Sequence, residues 1–313
     1  MKDAVITWLL EGDPAIRWQV RRDLLDAPER TLQSEQGRIA REGWGARLLG
    51  LQGLDGKWGG GIYTPKWIST TYTMVLLRNI GLPSGHPQAI RACRLLLDLG
   101  LWEDGGINYW RRQHDRSETC VSSMTLAMLS WFGLEDPRVD RLAEHVIAQQ
   151  MADGGWNCQA MPGYGRATHG SFHTTISALE ALLEYERFRP ARAAAARKAQ
   201  ARGREFLLVH QLYRSHRTGQ VAKDSFTRFS FPTHWYYDVL RGLDYFRDAG
   251  VRPSDQRLTD ALELVEKRRR RDGTWPLQNN HPGRTFFDME TIGEPSRWNT
   301  LRALRVLRWA GRA

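Results

Sequence analysis

An Asp-Gly turn in Gly- and Trp-rich surroundings recurs along this chain and constrains its fold more than any other feature. It stands in "LQGLDGKWGGG" from residue 51, "LGLWEDGGINYW" from 99, "QQMADGGWNC" from 149 and "KRRRRDGTWPL" from 267. The aspartates fall at 55, 104, 153 and 272, so the first two steps are 49 residues. The last step, 119 residues, holds two units, with one degenerate copy around "YRSHRTGQ". Each copy closes one helical pattern and precedes another. Glycine supplies the positive-φ stop to a helix, and tryptophan packs over the junction between neighbouring helices.

The flanking patterns differ in kind. Upstream runs such as "HPQAIRACRLLLDLGL" and "DRLAEHVIAQQM" are amphipathic. Downstream runs begin at "STTYTMVLL", "ETCVSSMTLAML", "FHTTISALEALL", "HWYYDVLRGLDYF" and "SRWNTLRALRVL", and are more apolar, as suits buried inner helices. A two-helix unit near 50 residues cannot bury its faces alone, so the units stack into a solenoid or a closed ring. The N-terminal patterns "AVITWLLEG" and "PAIRWQVRRDLL" complete a sixth hairpin and favour closure over an open array. The expectation is an all-α chain, one domain over residues 1–313. Residues 1–43 complete the ring and 44–313 carry the repeats.

Composition excludes several classes. With 41% hydrophobic and 26% charged residues the chain is that of a soluble globular protein. No apolar run approaches the roughly 18 residues of a membrane span, and the N-terminus lacks the pattern of a signal peptide, which places the chain in the cytoplasm. Three cysteines, Cys93, Cys120 and Cys158, do not make a disulfide framework and leave thiol or metal chemistry open. The net charge of +10 includes "RKAQARGR" and "KRRRR", but both lie on helices with an apolar opposite face and no nucleic-acid motif accompanies them. No nucleic-acid partner is expected.

The start of one inner helix carries chemistry. Glu118 and Cys120 stand two residues apart in "ETCVSSMTLAML". Inside a regular helix such residues point about 200° from each other. At a helix start the carboxylate has non-helical dihedrals and can swing back over the end toward the cysteine. The helix terminus also favours a thiolate. A capped helix with a core cysteine fits the same residues.

The turns "DGKWGGG" and "DGGWNC", set between paired helices, resemble those of the α/α-toroid superfamily, which contains squalene–hopene cyclases and protein prenyltransferase β subunits. The likeness spans about residues 44 to 311. It implies an inner ring of helices around a central cavity and an antiparallel outer ring. The inner helices would start near 69, 118, 173, 234 and 296, placing Ser69, Glu118, His173, His234 and Arg297 around one mouth. Prenyltransferase β subunits hold zinc with an Asp-x-Cys pair at one inner-helix start and a Tyr-His-Thr at the next. Here the matching residues are Glu118-Thr119-Cys120 and Phe172-His173-Thr174. The resemblance therefore implies Zn2+ on Glu118, Cys120 and His173, with the fourth position open for catalysis. Glu replaces the family's Asp, and Val121 stands where the family has an aromatic residue. Cys158 and His169, in the connecting loop, are reserve ligands.

Other mouth residues follow. His234 and Asp238 lie one helical turn apart, a spacing that suits a base and its orienting partner, metal ligands or a local hydrogen bond. Trp67, Tyr236, Tyr237 and Trp298 would line an aromatic cavity or pack. Arg111 and Arg297 are candidate substrate contacts, and Arg112 is placed to hold a diphosphate by the resemblance. The Asp-x-Asp-Asp motif of squalene–hopene cyclases is absent. No prenyltransferase α subunit is encoded in the chain. The expectation is a zinc-dependent, prenyltransferase-like or terpene cyclase-like enzyme acting on a small hydrophobic, isoprenoid-class substrate. The alternative is a non-catalytic toroid that binds a hydrophobic ligand or a protein partner and keeps a structural or vestigial zinc.

Overall fold

A computed structural model describes residues 2–111, 113, 115–158 and 167–312. The expected turns repeat with one geometry. The glycines after the four aspartates, Gly56, Gly105, Gly154 and Gly273, all have φ between 83° and 88°, a region that favours glycine. In each turn the aspartate Oδ1 accepts the backbone N–H two residues on, at 2.9–3.0 Å. Asp104 and Asp153 also reach forward with Oδ2, accepting from Ser117 N and Gly170 N just ahead of the next inner helix.

Tryptophan locks three of these junctions. The indole N–H of Trp58, Trp156 and Trp275 donates to the carbonyl ten residues earlier, on Leu48, Val146 and Val265 in the outer helix that has just ended. The backbone N–H of the same residues donates to the hydroxyl of Thr70, Thr175 and Thr300 in the following inner helix. Ile107 and Ser122 make the backbone bond in the remaining copy. Each tryptophan thus joins an outer helix end to an inner helix start with two buried hydrogen bonds, which satisfy both of its own N–H donors.

The inner helices are α2 (Pro14–Asp23), α5 (Thr70–Ile80), α7 (Thr119–Phe132), α9 (Phe172–Phe188), α11 (Val239–Asp248) and α13 (Arg297–Trp309). Consecutive members pack together from α5 to α13, and α13 packs on α2. The amide of Gln19 on α2 donates to Asn79 O on α5, and the Trp18 ring occupies the space that a Cβ at Gly81 would need. The ring is therefore closed. Arg305 and Arg308 on α13 reach Asp23 and Asp26 near the end of α2, which ties the two ends of the chain together.

Outside lie α1 (Lys2–Leu10), α3 (Glu29–Arg38), α4 (Gly43–Gly50), α6 (Pro87–Gly100), α8 (Arg138–Ala148), α10 (Ala194–Val209) and α12 (Thr259–Lys267). The pattern difference in sequence has its cause here: α7 is buried almost all round, whereas α8 buries one stripe. The protein is an all-α, α/α toroid. A two-residue antiparallel pair, β1 (Trp275–Pro276) with β2 (Pro295–Ser296), braces the last junction. No helix among the described residues is long and apolar enough to cross a membrane.

One inner helix starts later than the sequence spacing predicts. α11 begins at Val239, with Asp238 as its N-cap. The degenerate copy is replaced by an excursion from Leu212 to Asp238, closed by the bond from Tyr237 Oη to Leu212 O at 2.6 Å. His234 sits in that excursion at φ 49°, outside any helix. His234 and Asp238 are therefore not one helical turn apart, and the expected pairing does not form.

Candidate functional site

The starts of the inner helices converge at one end of the barrel. Ligand atoms of Glu118, Cys120 and Cys158 lie within 4.8 Å of one another there. Glu118 is the N-cap residue of α7, in extended backbone, so its carboxylate turns back over the helix end. Cys158, two residues beyond Trp156, is placed by the junction just described. Its Sγ accepts the Cys120 N–H at 3.4 Å and lies 3.8 Å from Thr174 Oγ1 on α9.

The electrostatics of this cluster favour a cation. Glu118 is 5% exposed, and among the described residues the only side-chain donor to its carboxylate is the Cys120 thiol at 4.0 Å. Burial raises its pKa to about 7, against the pull of Lys66. The Cys120 side chain beside it and the Cys120 backbone N–H, opposed by burial, hold Cys158 below the ordinary thiol value, while the nearness of Cys158 and burial hold Cys120 well above it. Two sulfurs and one carboxylate, one of the sulfurs disposed to ionise, form a donor set of zinc type. The residues present fit the metal.

His173 does not belong to this group. Its Nδ1 accepts the backbone N–H of Tyr237 at 2.9 Å, which places the ring proton of the neutral imidazole on Nε2. Burial, helped by Lys223, Arg241 and His281, lowers its pKa to about 3 and keeps it neutral. Neither nitrogen then offers a free lone pair. Cys158, the reserve ligand, stands where the resemblance puts the histidine. His169 lies outside the cluster, its Nδ1 3.4 Å from Thr168 Oγ1.

Around the cluster the mouth is aromatic. Trp67 lies flat on His234 with ring centroids 3.9 Å apart, and its indole N–H donates to His281 O. Trp235 stacks on Tyr236 at 3.8 Å, and Tyr236 stacks on His281 at 3.9 Å. Lys66 is exposed and sits 5.5–5.9 Å from the ring centroids of Tyr63, Trp67 and Trp235. The indole N–H of Trp235 is buried and has no acceptor among the described residues. Trp67 and His234 also line an apolar cleft of about 40 Å³ with Leu76, Phe231 and Phe286.

The remaining expected site residues have other partners. Asp238 caps α11 by accepting from Arg241 N and also accepts from Ser230 N and Oγ, so it is not free to act as a base. Tyr237 is buried and spends its hydroxyl on Leu212 O. Trp298 is buried against Phe231, ring centroids 4.0 Å apart. Arg297 lies over the Trp8 ring and donates to Trp8 O, and Arg111 donates to Leu99 O and Leu101 O at the end of α6. Both guanidiniums serve outer helices. Arg112 lies outside the described residues.

His281 and Lys66 escape the sequence reading, because neither sits on a periodic helix. His281 Nε2 lies 3.1 Å from Ser230 Oγ, and burial with Arg241 lowers its pKa to about 4. Cys158 had a signal of its own: the second residue after a junction tryptophan is placed as firmly as that tryptophan.

Deeper in the barrel the side chains are charged. Arg78 pairs with Glu184 and Glu180, and Arg241 forms a two-pronged bond with Glu180. Arg187 and Arg247 reach Asp248, and Arg247 and Arg305 share Asp244. Arg305 and Arg22 both hold Asp23. This network lines a central cavity of about 150 Å³, floored on the mouth side by Phe231, Thr233 and Trp298.

No protein-family model and no curated protein matches the chain. Among solved structures it is similar to a protein from Actinoplanes, at 16% identity and a TM-score of 0.49, over 95% of this chain and 90% of that one. It is also similar to the type II terpene cyclase MstE from Scytonema in complex with geranylgeranyl dihydroxybenzoate. There the identity is 16% and the TM-score 0.47, over 96% of this chain and 88% of the cyclase. The toroid assignment stands on the closed ring itself.

Proposed function

We propose that the chain is a zinc-dependent enzyme whose centre lies at the mouth of the toroid, held by Glu118, Cys120 and Cys158. The observation that carries this reading is the convergence on one point of two thiols and a buried carboxylate with no other side-chain donor among the described residues. The substrate class is a small molecule with an apolar part and an anionic group, of which an isoprenoid diphosphate is the example the sequence resemblance supplies. When bound, zinc supplies positive charge that lowers the pKa of a thiol or water brought beside it.

The chain's own residues then have separable roles. Trp67, Trp235 and Tyr236 hold the apolar part, because their ring faces bound the mouth and exclude water. Lys66, exposed beside the cluster, faces the anionic group, and the indole N–H of Trp235, which has no acceptor among the described residues, is available to one of its oxygens. His173, held neutral by Tyr237 N–H and burial, keeps an Nε2 proton to donate.

Elemental analysis tests the centre directly. Protein purified without chelator should carry about one zinc per chain, as one mononuclear site requires. Cys120→Ala and Cys158→Ala should each lower that content, whereas His173→Ala should retain it. Retention of wild-type zinc in both cysteine variants would refute the assignment. A non-catalytic toroid with a structural zinc is separated by melting temperature: there, losing a ligand collapses stability, since metal binding is folding free energy. In an enzyme, Cys120→Ala abolishes turnover at a modest cost in stability.

A further inference from the structure

The charged interior of the barrel has no part in the chemistry of the mouth, and its charges do not balance. The pairs described above, with those of Arg302 to Asp238 and Asp244, join seven arginines to six carboxylates among the described residues: Asp23, Glu180, Glu184, Asp238, Asp244 and Asp248. Six of the arginines have a carboxylate within hydrogen-bond reach. Arg302 has none. Its guanidinium lies 3.7 Å from Asp238 and 3.7 Å from Asp244, too far for hydrogen bonds. Both of those carboxylates are already engaged, Asp238 at the start of α11 and Asp244 by Arg305 and Arg247. The closest acceptor to Arg302 is the neutral Ser230 O at 3.0 Å, with Asn299 Oδ1 at 3.5 Å.

A guanidinium carries five N–H donors and a permanent charge. That of Arg302 is 5% exposed, so its charge is out of water, balanced only by two carboxylates at 3.7 Å that it shares with other groups and hydrogen-bonds to neither. A second donor in the same wall is also unmet: the indole N–H of Trp298, a residue 1% exposed, has no acceptor among the described residues. Water would satisfy donors but would not neutralise charge. The cavity opens at the rim formed by the C-terminal ends of the inner helices, where the side chains of Arg187 and Asp248 are 43% and 38% exposed. Its volume, about 150 Å³, matches an engineered protein cavity that holds benzene.

From this geometry we infer that the lumen binds a small oxyanion, a carboxylate or phosphate of roughly five to eight heavy atoms, entering from the rim opposite the mouth and held by Arg302. Arg302 supplies charge and a fork of donors, which suits either oxyanion. The ion pairs around it fix its orientation and keep the other arginines from competing. The site is independent of the metal centre.

Isothermal titration calorimetry of the full chain, with inorganic phosphate and with malonate at constant ionic strength, tests the inference. At least one of the two should bind with millimolar affinity or better, and the stronger one identifies the ligand's geometry as tetrahedral or planar. Arg302→Gln should weaken binding at least ten-fold. Should that variant not fold, Asn79→Asp serves instead: it is isosteric, lines the cavity and adds one negative charge, so it should weaken binding several-fold. Cys120→Ala alters only the mouth and should bind the anion as wild type does. Failure of wild type to bind either anion shows a cavity filled by water alone and overturns the inference. So does wild-type affinity in Arg302→Gln or, where that variant does not fold, in Asn79→Asp. Loss of binding in Cys120→Ala with Arg302→Gln unaffected places the anion at the mouth and overturns it as well.

Discussion

At the mouth, His234 and His281 are buried and His173 half-buried among aromatic rings, all three kept neutral, whereas in the lumen arginines and carboxylates are buried as charged pairs. Burial pushes the Asp244 carboxyl up, yet Arg305 and Arg247 overcome it and hold the pKa at about 2. Burial likewise opposes ionisation of Glu180 and Asp248, and Arg241 and Arg187 reverse it. Among the described residues the histidines have no such partner: the charged side chains that act on them are Lys66, Lys223 and Arg241, all cationic, so burial and repulsion act together. The same ring of helices thus carries two interiors. Desolvation is common to both, and the sign of the neighbouring charge decides which groups keep a proton.

The two interiors should differ most when one carboxylate is removed from the lumen. Asp244→Ala leaves Arg305, Arg302 and Arg247 without their shared partner, all of them at most 17% exposed. Stripping one member from a buried charge cluster costs about 3–5 kcal/mol, read from urea unfolding. A loss below about 1 kcal/mol, the scale of an exposed pair, would mean that the lumen is solvated and the contrast between the two ends is false.

Acidification should separate the two interiors by pH. A histidine whose folded pKa is depressed binds a proton only in the unfolded chain between its two pKa values, so its contribution to stability is complete above 6.5 and falls as pH drops. For His281 that window runs from 6.5 to about 4, and for His173 from 6.5 to about 3. Each contributes a slope of about 1.4 kcal/mol per pH unit inside its window. Asp244 acts lower: its stabilisation is present above its ordinary value of 3.8 and is lost as pH falls toward about 2. Melting temperature against pH should decline first below 6.5 and again below 3.8. His281→Gln should flatten the first decline and leave the second in place. A single decline beginning near pH 4 would show that the mouth histidines titrate as they do in water.

How much of this was legible in the sequence differs between the ends. The turns were, because Asp-Gly followed by Trp fixes backbone sign, donor and acceptor within a few residues, and the ten-residue spacing from indole to carbonyl is local. The inner helices at Thr70, Thr119, Phe172 and Arg297 start within a residue or so of expectation for that reason. α11 does not, because the copy before it lacks the turn, and only the capping residue Asp238 marks its true start. Glu118 and Cys120 come from one helix end and were readable together. Cys158 and His281 are brought in by loops whose path no periodicity encodes. The lumen was hidden differently: Arg302 and Arg305 stand three apart on a helix whose apolar residues dominate the pattern, so an inward charged stripe reads as solvated surface.

The smallest expected effects sharpen the identity of the cation at the mouth. Arg111 and Lys66 are both exposed and basic, and both lie in segments leading into inner helices. Arg111 spends its guanidinium on the last carbonyls around α6, so Arg111→Ala should cost no more than about 1 kcal/mol, the worth of ordinary hydrogen bonds. It should leave substrate affinity unchanged. Lys66 makes no ion pair among the described residues and instead stands over three aromatic rings beside Glu118. Lys66→Ala should change stability by less than about 0.5 kcal/mol, as for other surface positions, while weakening an anionic substrate. Calorimetric titration of geranyl or farnesyl diphosphate into wild type and both variants reads the difference. If Arg111→Ala loses affinity and Lys66→Ala does not, the cation that meets the substrate lies on the α6 side, and the mouth faces a different approach from the one proposed.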